Sequence, residues 1–191
     1  MIRYTEDMLF WRRGEVAGMN LESLLRQDQK ISQRIRIPEE DDSRGMRAAA
    51  ALLAHSADSW FWIAGLALFW VLGPSAWRPL ARTLLISVFV TAACVLLIKF
   101  VIRRPRPEGE WGSVYRSSDP HSFPSGHAAR TALLAVITLC SGPLWVGLTL
   151  TIWAVLVDYA RIALGVHYLS DILVGTGLGL LFGWAALLVL V

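Results

Sequence analysis

The sequence predicts an all-α fold: an integral membrane helical bundle with about five transmembrane helices plus an N-terminal amphipathic interfacial helix. Three observations lead there. Of 191 residues, 55% are hydrophobic and only 17% charged, against about a quarter charged in soluble domains. The apolar residues gather into runs of membrane-spanning scale. The charge is also segregated: residues 1–50 carry nine basic and nine acidic side chains and sum to zero, so the net +3 resides in the remainder. Two regions follow, a polar, amphipathic extension over 1–50 and a transmembrane domain over 51–191.

In chain order, Met8, Leu9, Phe10 and Trp11 form a short apolar patch in an otherwise mixed opening. Residues 20–37 repeat Leu21, Leu24, Leu25, Ile31 and Ile35 near helical period, with Asn20 as N-cap and Pro38 as stop. After the acidic turn Glu39–Ser43, one helix is expected from Ser43 to Gly73. At about 30 residues it exceeds the ~20 that hydrocarbon requires, so its first part projects into the interface and the apolar span is 59–72. His55 and Asp58 then fall at the interface. Further spans are expected at 80–102, 125–140, 144–159 and 169–191. In the last, Gly175, Gly179 and Gly183 recur every four residues and offer a flat face for close helix packing. Nothing reads as β, so these glycines are no dinucleotide loop.

Five spans place the end of the second, the start of the third, the end of the fourth and the start of the fifth on one membrane face. The N-terminal fifty residues lie on that face and the C-terminus on the other. Arg78 and Arg82 draw their loop toward the cytoplasm. The expectation is a multi-pass protein of a bacterial plasma membrane with the site facing outward.

Several classes are disfavoured. No basic stripe long enough for nucleic acid is present. Cys94 and Cys140 sit near opposite ends of their spans, which argues against a disulfide. The opening residues lack the apolar core of a cleaved signal peptide. His121 and His127 lack a third ligand at zinc spacing. No cofactor and no metal is called for.

Three polar clusters occupy the shared face. The first runs from Lys99 to Arg106 and Pro107, the second is Pro124, Ser125, Gly126 and His127, and the third holds Arg161, His167 and Asp171. Cleaving a phosphate ester requires cations and amide donors around the oxygens, an in-line nucleophile and an acid for the leaving group. Lys99, Arg106 and Arg161 provide charge, and arginine forks match two phosphate oxygens. Ser125 and the Gly126 amide stand at a helix N-terminus, where free donors and the dipole favour an anion. His167 and Asp171, four apart on one helix face, suit a nucleophile and its orienting carboxylate. His127 remains as acid and base. Beside apolar spans, the phosphate is expected on a lipid. Arg103 and Arg104 read as interfacial anchors, and Trp111, Tyr115, Arg116 and His121 as residues of the mouth. Asp158 is read as a partner for a nearby arginine.

The three clusters resemble the signature of the type 2 phosphatidic acid phosphatase superfamily, in its membrane lipid phosphatase branch, over about residues 80–180. The resemblance implies a helical bundle and a metal-independent reaction through a phosphohistidine on His167. It implies His127 as acid and Asp171 as the partner of His167. Lys99, Arg106, Ser125, Gly126 and Arg161 become phosphate ligands. One departure stands out: Ala160 replaces the serine of the third motif. A second is the count of five spans, where many relatives have six.

The expected function is hydrolysis of the terminal phosphate of a lipid or polyprenyl phosphate or diphosphate. Two alternatives stay open: phosphotransfer to an alcohol through the same intermediate, and non-catalytic binding of anions or lipids. Phosphatidic acid, phosphatidylglycerol phosphate, undecaprenyl diphosphate, lipid A and a prenyl-linked sugar phosphate are all compatible substrates, and oligomeric state is left open.

Overall fold

The computed structural model describes residues 15–16, 19–109 and 119–190. The apolar patch of Met8 to Trp11 and the mouth residues Trp111, Tyr115 and Arg116 lie outside them. Two strands of two residues, β1 (Glu15–Val16) and β2 (Met19–Asn20), pair antiparallel, a minimal β element that the sequence pattern does not announce. Among the described residues the remaining regular elements are helical. The helices are α1 (Leu21–Ile35), α2 (Arg44–His55), α3 (Ser59–Leu72), α4 (Arg78–Ile102), α5 (Gly126–Ser141), α6 (Leu144–Ala163) and α7 (Leu169–Leu190).

Three of these are long and apolar enough to cross a membrane: α4 with its preceding turn, α6 and α7. The helix expected to run unbroken from Ser43 to Gly73 is instead two, α2 and α3, meeting at a 46° bend. Polar contacts hold the bend open. Ser56 Oγ donates to Leu53 O at 2.6 Å and Trp62 Nε1 to Ser56 O at 3.1 Å. Arg130 Nε, reaching over from α5, donates to Ala57 O at 2.9 Å. Asp58 then takes an extended conformation as the N-cap of α3.

At 16 residues, α5 is shorter than α4, α6 and α7. It forms the axis of the bundle, with every residue from 128 to 138 buried, and it packs chiefly on α7 and α6. The glycine face of α7 makes this possible. A β-carbon at Gly179 would collide with the Ala129 carbonyl, and one at Gly183 with Val136. Small residues let backbones approach where lipid supplies no hydrophobic drive between helices. The outer surface exposes Trp60, Phe89, Phe100, Trp145, Leu181 and Trp184, an apolar belt far beyond the patches of a soluble monomer.

The end of α4, the start of α5, the end of α6 and the start of α7 converge at one end of the bundle. There α1 lies across it. Ser32 Oγ accepts from Leu169 N at 2.9 Å, and Asp28 Oδ1 from Ser170 N at 3.0 Å, so α1 caps the N-terminus of α7.

Candidate active site

The first two clusters are tied together by backbone. Pro105 and His121 form an isolated bridge, and Ser122 N donates to Arg104 O at 2.8 Å. Arg103 ends α4 in the left-handed region at φ 51°, which turns the chain back toward the bundle. In the third cluster Gly165 adopts φ +66°, a conformation glycine takes without steric cost, and this reversal brings His167 inward just ahead of α7.

His167 is fully enclosed, 1% exposed. Its Nε2 lies 3.2 Å from Arg106 Nη1 and its Nδ1 lies 3.4 Å from Asp171 Oδ2. Arginine only donates, so Nε2 is the acceptor and the ring proton belongs on Nδ1, facing the carboxylate. Burial first, then the charges of Arg106, Arg161, Lys99 and His127, push the imidazole well below its usual range. A neutral ring with its Nε2 lone pair turned toward the cations is the form in which histidine acts as a nucleophile.

Asp171 is held on every side. Its Oδ2 accepts from Tyr168 N at 2.9 Å and its Oδ1 from Arg104 Nη1 at 2.7 Å. Arg104 also donates to Asp28 Oδ2 at 2.7 Å and stacks over the Tyr168 ring at 4.1 Å. Arg104 is therefore a buried link between α1 and the His167–Asp171 pair, which corrects its reading as an interfacial anchor. The adjacent Arg103 donates to Phe100 O at 2.9 Å and lines the cavity over His167.

Arg106 and Lys99 share one carboxylate. Asp119 Oδ2 accepts from Arg106 Nη2 at 2.7 Å and from Lys99 Nζ. Arg106 further donates to Val166 O at 2.8 Å, and Lys99 to His121 O at 3.1 Å. Arg161 is buried at the end of α6, 1% exposed, close enough for its charge to bear on His167. Ser125 is the N-cap of α5, its Oγ accepting from Ala128 N at 3.3 Å. At Gly126 an added β-carbon would meet only Val95 at 3.6 Å, so packing does not demand glycine there. As the first residue of α5, Gly126 has an amide without an intrahelical partner.

His127 Nε2 lies 2.8 Å from Asp58 Oδ1, and the other oxygen of Asp58 lies 3.1 Å from His55 Nδ1. The residues read as interfacial, His55 and Asp58, thus reach the site through the α2–α3 bend. Asp158, expected beside an arginine, accepts from Thr176 Oγ1 at 3.0 Å and lies within reach of the charge of Arg161. Ala160, at the motif's serine position, packs with Ala51, Ala54 and Leu164, so its apolar side chain matches an apolar contact with α2. Among the described residues no three His, Cys, Asp or Glu side chains gather as a metal site, and both cysteines are free.

Two cavities flank these groups. One, of about 960 Å³, lies over His167 and Arg106 and is lined by Gln29, Gln33 and Arg36 of the α1 side, with His121 and Tyr168. The other, of about 160 Å³, is lined by His127, Lys99, Asp119 and Arg130 together with Val88 and Val95 of α4. Asp119, Asp58, Arg104 and Arg130 all escape a motif-based reading. Charge within or next to an apolar run flags Asp58, Arg104 and Arg130, whereas Asp119 sits in a polar loop and carries no such signal.

The chain is similar to known proteins in both sequence and fold. The chain is 35% identical over 152 residues to the decaprenylphosphoryl-5-phosphoribose phosphatase of Mycobacterium tuberculosis, covering 74% of this chain and 79% of that one. It is 34% identical over 106 residues to the undecaprenyl-diphosphatase of Sulfolobus acidocaldarius, covering 53% of this chain and about half, 51%, of that relative. Two crystal structures share the fold, each with a TM-score of 0.66. They are LpxE of Aquifex aeolicus, at 20% identity over 83% of this chain and 93% of that one, and the PAP2 type phosphatidylglycerolphosphate phosphatase of Bacillus subtilis, at 22% over 86% and 84%. The family model of the PAP2 superfamily matches residues 80–191, which hold all three clusters, and the chain belongs to that superfamily.

Proposed function

We propose that this protein is a metal-independent lipid phosphatase that removes the terminal phosphate of a lipid or polyprenyl phosphate or diphosphate through a phosphohistidine on His167. One observation carries the reading: the His167 Nε2 lone pair is presented beside Arg106 while Nδ1–H faces Asp171. Lys99, Arg106, Arg161, the Ser125 hydroxyl and the Gly126 amide receive the phosphate oxygens. Nε2 attacks phosphorus, the bond to the leaving oxygen breaks, and that oxygen takes a proton from His127. In the second step His127 takes a proton from water. The water oxygen forms the new bond to phosphorus, the P–N bond breaks, and phosphate leaves. Asp58 accepts from His127 Nε2–H, which leaves Nδ1 for both proton transfers.

A lipid substrate is supported by the smaller cavity, which brings Lys99, His127 and Arg130 together with Val88, Val95 and Leu96 of α4, a mixed lining suited to an amphiphile. The names of the two curated relatives, a diphosphatase and a phosphatase of polyprenyl compounds, point the same way. The large cavity that His167 lines is open to water, which favours hydrolysis over phosphotransfer. Residues 1–50 are proposed as an extension on the active-site face of the 51–191 phosphatase domain, in a bacterial plasma membrane with the site outward.

The test is phosphate release from a panel of lipid and prenyl phosphates by purified protein in detergent with chelator. Turnover that survives the chelator and vanishes in His167→Ala is expected. Labelled oxygen from water should enter the released phosphate. Unchanged turnover in His167→Ala would remove the nucleophile, and loss of turnover with chelator would remove the metal-independent mechanism.

A further inference from the structure

Arg130 is a buried cation for which the mechanism above has no use. It lies three residues after His127 on the same face of α5, is 5% exposed, and lines the smaller cavity beside His127 and Lys99. Its hydrogen bonds all go to neutral oxygens. Nε donates to Ala57 O at 2.9 Å, Nη2 to the same carbonyl, and Nη1 to Ser59 Oγ. No carboxylate of the described residues lies within ion-pair distance of it, whereas Lys99, Arg104 and Arg106 each have one. The nearby Asp58 directs its two oxygens to His127 and His55. Asp58 acts on Arg130 only through space, a charge held out of water with no bonded counter-charge is costly, and at the wall of a cavity its natural complement is an anionic ligand.

We propose that Arg130 binds the phosphate that stays with the leaving group, so that the preferred substrate is a lipid diphosphate. The proposal rests on the phosphatase reading above. In that reaction Nε2 of His167 bonds to the terminal phosphorus and the bridging P–O bond breaks. The bridging oxygen, with the His127 proton, leaves as part of a lipid monophosphate. That oxygen must sit at His127, and Arg130, three residues further along α5 and lining the same cavity, is placed to meet the phosphate behind it. The guanidinium fork suits two oxygens of that second phosphate. A monophosphate ester leaves this cation facing its own alkyl chain.

The test compares farnesyl diphosphate with farnesyl phosphate in detergent micelles and reads the ratio of kcat/KM on one protein preparation. Both substrates share the same folded fraction, so a purely structural role for Arg130 scales both and leaves the ratio fixed. The wild type is expected to favour the diphosphate by about tenfold or more, in line with a charge-assisted bidentate contact. Arg130→Gln should collapse that ratio to within about threefold, and Arg130→Lys should keep part of it. Where Arg130→Gln is inactive on both substrates, the Arg130→Lys ratio decides, and a ratio equal to wild type overturns the proposal. A wild type without preference, or an unchanged ratio in Arg130→Gln, also overturns it. Failure of the wild type to release phosphate from either compound overturns the phosphatase reading itself, and this proposal with it.

Discussion

Asp58 Oδ1 stands 2.8 Å from His127 Nε2, across 69 residues of chain. The carboxylate comes from the bend between α2 and α3, outside the stretch matched by the family model. Loss of that carboxylate should therefore affect proton transfer more than phosphate binding. Asp58→Asn is expected to lower kcat by about 10- to 100-fold, within the range general acid–base catalysis contributes, with KM changed by less than about threefold. Steady-state kinetics on one lipid phosphate decides it. A fall in affinity with kcat intact would recast Asp58 as a residue that only shapes the pocket.

Asp119 occupies the ground that the substrate's anion needs. One of its oxygens serves both Lys99 and Arg106, and its side chain is 39% exposed, so it is free to swing out when phosphate arrives. Replacing it with Asn removes the competing charge. Inorganic phosphate should then inhibit Asp119→Asn about tenfold more tightly than wild type, equivalent to about 1.4 kcal/mol. Weaker inhibition in the variant would mean that Asp119 assembles the cation pair instead of screening it.

The three clusters are legible because each confines charged or nucleophilic residue types to a few positions at the edge of an apolar run. Helix period and apolar length likewise delimit α1, α4, α6 and α7 to within a few residues. The α2–α3 break is less legible, because the local contacts of Ser56 and Trp62 are joined by Arg130 drawing on Ala57 O and His127 engaging Asp58, both contacts across about 70 residues. Arg104 illustrates the same limit. Beside Arg103 in sequence it looks like half of a basic anchor, and only the docking of α1 gives it Asp28 as a partner.

That docking predicts where stability is most sensitive. Arg104 sits between Asp28 and Asp171, with side-chain exposures of 7%, 12% and 0%. Arg104→Met strands both carboxylates, and breaking a buried pair costs about 3–5 kcal/mol. The melting temperature in detergent should fall sharply for Arg104→Met. The double variant Arg104→Met with Asp28→Asn should recover part of the loss, since one stranded charge is gone. Additive losses would place Asp28 and Arg104 in separate interactions.

His167 carries a pH signature of its own. Its folded-state pKa is depressed by burial and neighbouring cations, so the folded protein holds the ring neutral. Its stabilising contribution is fully present above the unfolded value of about 6.5. As pH falls below that value the unfolded chain takes up a proton that the folded one refuses. Stability then drops by up to about 1.4 kcal/mol per pH unit until the folded-state pKa is reached. Between pH 7.5 and 5.5 the wild type should lose more melting temperature than His167→Asn, which has no proton to gain. Parallel curves for the two proteins would show that His167 protonates alike in both states.

Gly179 tests the packing that underlies the whole site. The α5–α7 contact sets Ser125 and Asp171 against each other, with Ser125 N donating to Asp171 O at 3.0 Å. A β-carbon at Gly179 would meet the Ala129 carbonyl, which is backbone and unable to turn aside, and Ala132 Cβ at 2.9 Å. Overpacking of this kind costs about 1–3 kcal/mol and is relieved by moving the helices apart. Gly179→Val should therefore lower both the melting temperature and kcat, although the residue lies two turns down the helix from Asp171. Gly177, where an added β-carbon meets nothing within 4 Å, supplies the control. Gly177→Ala is expected to leave turnover unchanged and to hold or raise stability through its better helix propensity. If Gly179→Val matched Gly177→Ala in both measurements, the close approach of α5 and α7 would not be what aligns Ser125 with Asp171.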